Sequence, residues 1–342
     1  MILGSWPGTL KGNQFLDILA KSLESHGARF VAVDSPKKSV HSPVEALLMQ
    51  WPDQIFWKAR PGRVPYLAAI SQINALRRWR QSGKKLVWII HNDVPHDLND
   101  RQRQLWTYYA HALSSLSHGY MTLSPATRSA VLRRHPGLST KPNSSFRHPS
   151  YPSVTRTAAQ ARARRQQLGI PDDAYVIGAL GQIGGYKGLP ELIDAFRATS
   201  GSNLRLLICG RPRNAAARKE VEEATANEPR VHLFFDLLSD EDFALTTAAC
   251  DVVVAPYRQY LHSGTLVYLA SAERRSLTPA TPFADDLAKC VGPGWVTLYE
   301  GRLNPQILRD FIAGTAPHAK PVLTALDPSS AAQSIITFVR NL

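Results

Sequence analysis

Two rhythms of apolar residues alternate along this chain. Short apolar runs at Ile2–Trp6, Arg29–Ser35, Lys85–Asn92 and Gly119–Ser124 predict strands, and the unbroken stretch Leu86–Ile90 is the pattern of a strand buried on both faces. Between the first two, Phe15, Ile18, Leu19 and Leu23 share one helical face within Asn13–Gly27, and the pattern stops at its glycine. Residues 64–81 and 101–117 read as further helices, and Val44–Pro52 as a short helix or strand that ends at its proline. The second half repeats the alternation, with strands predicted at 175–181, 204–209, 231–235 and 251–255. Helices are predicted at 189–199, 214–227, 240–248 and from 264 onward, and a last helix at 328–342. Residues 136–160 are rich in Pro, Ser and Thr and read as a linker with a loop. Strand–helix alternation on both sides of that linker predicts an α/β chain of two Rossmann-like, doubly wound domains. The first covers 1–150 and the second 165–325, with the helix at 328–342 available to pack back onto the first.

Composition narrows the class. The chain has 342 residues, enough for two domains, and is 44% hydrophobic and 20% charged, an ordinary globular balance. Its three cysteines, Cys209, Cys250 and Cys290, are odd in number and far apart. They outline neither a disulfide framework nor a metal site, so a reducing compartment is expected. No apolar run is long enough to span a bilayer, and Met1–Trp6 has no basic flank of a signal peptide.

Charge is uneven. Residues 1–160 hold 21 Lys and Arg against 8 Asp and Glu, whereas residues 161–342 hold 19 of each. The whole excess of +13 therefore sits on the first half. A one-sided basic domain points to an anionic partner such as lipid head groups or a lipid-linked phosphate. Nucleic acid is not expected, because no recognised motif for it accompanies the charge.

Three loops at the carboxyl ends of predicted strands carry the candidate chemistry. In Gly184-Gly185-Tyr186-Lys187-Gly188, glycines let backbone N–H groups approach a diphosphate, and the following helix start favours negative charge. Lys187 is placed to neutralise a phosphate, although a plain strand-to-helix turn would look the same. The next strand ends on Gly210 and Arg211. A second turn carries Tyr257 and Arg258, then Ser263-Gly264-Thr265 ahead of an apolar helix. Those hydroxyls suit an anion and also suit helix capping. The third loop, His91–Asp97, offers His91, Asp93, His96 and Asp97 as general bases or sugar-hydroxyl ligands, or simply as a turn held by its own side chains. No second cluster matches it as a metal site, so metal-independent chemistry is expected. Asp240-Glu241-Asp242 opens a predicted helix and reads as dipole capping rather than metal binding. Along 66–85, apolar Tyr66, Ile70, Ile73 and Leu76 give way to Arg77, Arg78, Trp79, Arg80, Lys84 and Lys85, a packed stripe whose basic end suits anionic head groups.

With those residues in view, the chain resembles the bacterial exopolysaccharide glycosyltransferases of GT-B architecture, two Rossmann-like domains facing across a cleft. It is most similar to glycosyltransferase family 94, the β-mannosyltransferases of xanthan assembly. The resemblance is carried by Tyr186-Lys187-Gly188, Pro256–Gln259, Ser263–Leu266 and Val291–Gly301, and more weakly by Asn13, Trp51-Pro52 and the His91–Asp97 loop. It implies transfer of mannose, with inversion, from GDP-mannose to a polyprenyl-diphosphate-linked oligosaccharide. It also implies peripheral attachment to the cytoplasmic face of the bacterial inner membrane; without such attachment a soluble cytoplasmic enzyme is expected.

The chain departs from its relatives in several places. The spaced glutamate pair of retaining GT-B enzymes is absent, since Gln259–Tyr268 holds no glutamate, and Asp97 stands where the family tends to have glutamate. Arg274-Arg275-Ser276 and Cys290 also differ from the family pattern. A retaining hexosyltransferase with another donor, a non-catalytic nucleotide- or lipid-binding assembly subunit, and a nucleotide-sugar epimerase are the competing readings.

Overall fold

A computed structural model describes residues 1–8, 14–54, 65–96, 98–152 and 154–342. The chain divides into two compact units, Met1–Pro149 together with Ala325–Leu342, and Ser150–Thr324.

In the first unit, β1 (Ile2–Trp6), β2 (Arg29–Ala32), β3 (Ala46–Met49), β4 (Lys85–Ile90), β5 (Gly119–Thr122) and β6 (Asn143–Ser145) form one parallel sheet in the order β2-β1-β3-β4-β5-β6. Residues on successive positions of a strand face opposite sides, so both faces need cover. One face is covered by α1 (Phe15–Ser25) and the chain's last helix, Pro328–Arg340. There Phe15, Leu19 and Leu23 join Ala332, Ile335 and Val339 over Leu48, Val87 and Ile89. Each of these side chains larger than alanine contributes about 1.5–3 kcal/mol when fully buried. The other face takes α2 (Pro65–Gln81) and α3 (Asp100–Leu116), with Trp88 of β4 set edge-on to Trp106 of α3 at 6.4 Å. Helix α3 starts on a reciprocal cap, in which Asn99 accepts from the Gln102 amide while the Gln102 side chain accepts from the Asn99 amide. The short α4 (Arg128–Arg134) follows β5. The segment read as linker and loop is more structured than its composition suggests. Asn143–Ser145 is the sixth strand, paired in parallel with Tyr120–Thr122, and the boundary between units falls after Pro149.

The second unit is another parallel sheet, β7 (Tyr175–Leu180), β8 (Leu204–Cys209), β9 (Val231–Phe234), β10 (Val252–Val254), β11 (Arg275–Pro279) and β12 (Val296–Tyr299), ordered β12-β11-β10-β7-β8-β9. Its helices are α5 (Ala158–Gln167), α6 (Leu189–Arg197), α7 (Ala215–Thr225), α8 (Asp240–Ala249), α9 (Gly264–Ser271), α10 (Pro282–Val291) and α11 (Pro305–Ala313). Leu192, Ile193 and Phe196 of α6 pack with Leu308 and Phe311 of α11 over Ile177, Ile208 and Val254. Strand order reverses between β7 and β10, so the loops leaving those two strands diverge and open a crevice at their carboxyl ends. The turns singled out from the sequence leave β7 and β10.

Candidate functional site

The crevice in the second unit is built by backbones that approach closer than side chains would allow. At the end of β7, Gly181 has φ +97° and donates its amide to the Cys209 carbonyl at 3.0 Å. Gly210, at φ +147°, lies against it so tightly that a Cβ there would sit 2.0 Å from the Gly181 carbonyl oxygen. On the other side Gly188, at φ +62°, leaves room for Pro256, whose carbonyl oxygen is 2.1 Å from where a Cβ would be. The Arg258 amide donates to the Tyr186 carbonyl at 2.8 Å. The loops after β7, β8 and β10 are therefore laced into one body.

Lys187 is the charged centre of that body. It is only 6% exposed, and its ammonium donates to the Tyr257 hydroxyl at 3.1 Å and to the Leu180 carbonyl at 3.3 Å. It also lies 4.5 Å from the Tyr257 ring centroid. Burial opposes the charge on Lys187, but the facing Tyr257 and Tyr186 oxygens outweigh it and hold the ammonium above the usual lysine range. Burial likewise pushes the Tyr257 phenol up; the Lys187 charge and hydrogen bonds with Ser263, Thr265 and Lys187 outweigh that and bring it below the usual tyrosine range. Tyr257 is thus the hub that joins Lys187 of one turn to Ser263 and Thr265 of the other. Ser263 caps α9 as well, accepting from the Leu266 amide at 3.3 Å. Beside this hub lies a cleft of about 10 Å³, room for about one water, lined by Gly181, Lys187, Tyr257 and Thr265. A Cβ on Gly181 would stand 3.4 Å from the Lys187 ammonium and 3.8 Å from the Thr265 hydroxyl, within that space.

The remaining candidates in this unit form a second ring. Arg258 grips Glu191 of α6 through two hydrogen bonds, at 2.8 and 2.9 Å, and donates to the Gly185 carbonyl at 3.1 Å. It therefore braces the Gly184–Gly188 turn rather than standing open. For Glu191, burial raises the carboxyl, but the Arg258 guanidinium outweighs it and keeps the group below the usual range. Gly264 is half-buried at the start of α9. Arg211 is exposed, with its side chain in no hydrogen bond or ion pair among the described residues. Two participants escaped the sequence reading. Gly181 sits at the last position of a predicted strand, and Glu191 lies in a helix whose partner is distant in sequence. The acidic run behaves as capping requires: Ser239 accepts from the Asp242 amide, and Glu241 pairs with Arg156.

In the first unit, residues 91–96 of the third candidate loop are only partly open. His91 is 7% exposed, stacked on Trp51 at 3.8 Å with Phe15 edge-on at 4.9 Å, and its Nε2 donates to Gln50 Oε1 at 2.7 Å. His91, offered by the sequence as a general base, a sugar-hydroxyl ligand or a turn residue, is placed in the core, because an aromatic ring between Trp51 and Phe15 packs better than it solvates. His148, in the same cluster, is brought down to about 4 by burial and stays neutral. Asp93 accepts from the Val94 amide at 2.9 Å, shaping its own turn. His96 is half-buried; Asp97 and Asn13 lie outside the described residues.

Among the described residues, no group of three or more His, Cys, Asp or Glu is placed to hold a metal ion, and no helix is long and apolar enough to cross a membrane. Cys209, Cys250 and Cys290 form no disulfide, and burial pushes the first two thiols up to about 12, where they are inert.

Residues 160–267 match the family described as glycosyl transferases group 1, a span from α5 through both turns into α9. The chain is 28% identical over 284 residues to the GDP-mannose:glycolipid 4-beta-D-mannosyltransferase of Xanthomonas campestris pv. campestris, covering 81% of this chain and 73% of that protein. A second sequence of that name and species is 27% identical over the same length. Among solved structures, Anabaena HepE in complex with UDP-glucose superposes with a TM-score of 0.67 at 15% identity, over 99% of this chain and 97% of that one. Sucrose-phosphate synthase from Thermosynechococcus elongatus gives a TM-score of 0.66 at 14% identity, over 100% and 94%. At such identities the structures speak for the fold alone, and that fold is GT-B.

Proposed function

On the premise that a GT-B chain with a glycosyl transferases group 1 domain is a hexosyltransferase, we propose that this one is an inverting β-mannosyltransferase. It takes mannose from GDP-mannose and delivers it to a glycolipid, a polyprenyl-diphosphate-linked oligosaccharide of exopolysaccharide assembly, without a metal ion. The observation that carries this reading is the convergence of Gly181, Lys187, Tyr257, Ser263 and Thr265 at the point where the strand order of the second sheet reverses. A diphosphate at the mouth of that cleft would face the half-buried Gly264 and Thr265 at the start of α9, with the Lys187 ammonium behind them. These donors are already oriented toward charge that builds as the leaving group departs.

In the step itself, an acceptor hydroxyl oxygen attacks the anomeric carbon from the face opposite the diphosphate. The carbon–oxygen bond to the diphosphate breaks, its electron pair stays on the departing GDP, and the acceptor proton goes to a base. Asp97, supported by His96, is assigned as that base, since His91 is committed to the core and Asp93 to its own turn. Peripheral attachment to anionic membrane fits the basic first half and the half-exposed apolar side chains Tyr66 (51%), Leu67 (61%) and Tyr108 (47%), of which the two tyrosines stack at 6.4 Å. The test is a calorimetric screen of GDP- and UDP-sugars, followed by transfer to a lipid-linked acceptor and measurement of the product's anomeric carbon–proton coupling. GDP-mannose binding with a β-linked product is expected; tighter binding of a UDP-sugar or an α-linked product refutes the reading.

A further inference from the structure

A second cavity opens inside the first unit between α3 and residues 134–137, against the His91–Asp97 loop at Val94. Its volume is about 420 Å³, within the range of small-ligand sites. Trp106, 4% exposed, gives an apolar floor with Ala110 and Pro136; Thr107, His111 and Ser114 add polar groups along α3, and Arg103 and Arg134 are exposed at the edge. Among the described residues, no carboxylate lines it. Residues 98–148 contain seven Lys and Arg and the single acid Asp100, and Asp93, whose charge reaches the lining residue His135, has its carboxylate engaged by the Val94 amide. Arg103 donates its Nε to the Leu98 carbonyl at 3.1 Å, which leaves its terminal nitrogens open, and Arg134 has no hydrogen bond or ion pair among the described residues. Two uncompensated guanidinium groups beside an apolar floor select a ligand that is anionic at one end and hydrocarbon at the other.

Position tells which such ligand. Val94 lines the cavity, and His135, which also lines it, donates Nε2 to the Asp93 carbonyl at 2.8 Å. Burial lowers the imidazole of His135, so it acts as a neutral strut and adds no charge. The cavity therefore borders the loop assigned to carry the base, where the acceptor must arrive. Resting on the function proposed above, we propose that this cavity seats the phosphate-bearing end of the acceptor lipid. Arg103 and Arg134 hold phosphate oxygens, and Trp106 covers the first hydrocarbon units.

The test uses the full chain saturated with GDP, so that the donor crevice is occupied, and titrates it with farnesyl diphosphate in a calorimeter. Binding is expected. It should weaken at least tenfold in Arg134→Ala and disappear in Thr107→Trp, which fills the cavity from an exposed position, while GDP affinity stays unchanged in both. Thermal melting checks the fold, and Arg134→Ala alone decides if Thr107→Trp is unstable. Unchanged farnesyl diphosphate affinity in the variants overturns the proposal. Two further results also overturn it: inorganic pyrophosphate binding as tightly as farnesyl diphosphate, which means a bare anion patch, and equal competition by phosphatidylglycerol vesicles, which means bulk membrane contact. The donor reading fails separately. If GDP-mannose does not bind while farnesyl diphosphate still depends on Arg134, the lipid seat stands and the mannosyltransferase reading falls.

Discussion

Removing one oxygen atom tests the hub. Tyr257→Phe keeps the ring that packs over Lys187 but deletes the hydroxyl that accepts from its ammonium at 3.1 Å. The ammonium is then buried with only the Leu180 carbonyl at 3.3 Å. A hydrogen bond to a charged group contributes about 1.5–3 kcal/mol, and each 1.4 kcal/mol is about tenfold. Stability should fall by about that much, and GDP affinity and kcat/KM for the donor should fall by up to roughly ten- to a hundredfold where the bond's whole worth lies in aiming the ammonium at the diphosphate. Lys187→Met should cost at least as much, and Tyr257→Phe added to it should cost little more, because the hydroxyl then has no ammonium to hold. The expected coupling exceeds about 1 kcal/mol. An ultraviolet titration of phenolate supplies an independent arm. The Tyr257 phenol lies below the ordinary value of 10.0, chiefly because the Lys187 charge and its hydrogen bonds outweigh burial, so Lys187→Met should move that ionisation upward. The sign for stability follows from the raised Lys187 value. Its contribution is complete below the ordinary lysine value of 10.5 and is lost as pH rises through the higher folded value. Strict additivity of the two substitutions, with GDP affinity within twofold of wild type in Tyr257→Phe, refutes the hub.

Other outcomes follow from the same geometry. Gly210→Ala at φ +147° meets the Gly181 carbonyl at 2.0 Å and should cost at least about 1–3 kcal/mol of stability, seen as a lower Tm, together with loss of GDP binding. Gly181→Ala puts a methyl 3.4 Å from the Lys187 ammonium, and calorimetry should show weakened GDP affinity beyond what its melting curve explains. Asp97→Asn should abolish transfer to a lipid acceptor while GDP binds normally, and turnover near wild type would remove Asp97 as the base. His91→Ala should instead lower Tm by the several degrees expected of a lost core ring, about 2–5 kcal/mol, whatever its effect on rate.

The fold was legible where burial leaves a composition that only a strand or an amphipathic helix explains. Leu86–Ile90 is the clearest case, unbroken and fully buried, and α6 shows its apolar stripe at Leu189, Leu192, Ile193 and Phe196. Legibility failed where pairing or capping, not hydrophobicity, makes the element. Asn143–Ser145 is a polar edge strand, and α5 buries chiefly Arg164 among its polar residues, so neither has an apolar rhythm to read. Helix α5 announces itself only through the cap between Thr157 and Gln160. At the site, the turns at Gly184–Gly188 and Ser263–Thr265 were visible because glycines and hydroxyls at strand ends are rare without a reason. Tyr257 was among the candidates of the second turn, but its place as the link between Lys187 and Ser263 was not visible, since only the fold brings the two turns together. His91 misled in the opposite way. A histidine in a polar loop suggests chemistry, and only the tertiary positions of Trp51 and Phe15 turn it inward.

The last helix, Pro328–Arg340, completes the hydrophobic face of a unit whose other residues end at Pro149. On the ribosome, Phe15, Leu19 and Leu23 must wait while the intervening residues are made, roughly 10–40 s at about 5–20 residues per second. The later half of the polypeptide can settle first, and the earlier half is left with a greasy helix uncovered meanwhile. The first unit therefore cannot be completed until that helix has been made, and that interval is when a chaperone would have most to hold.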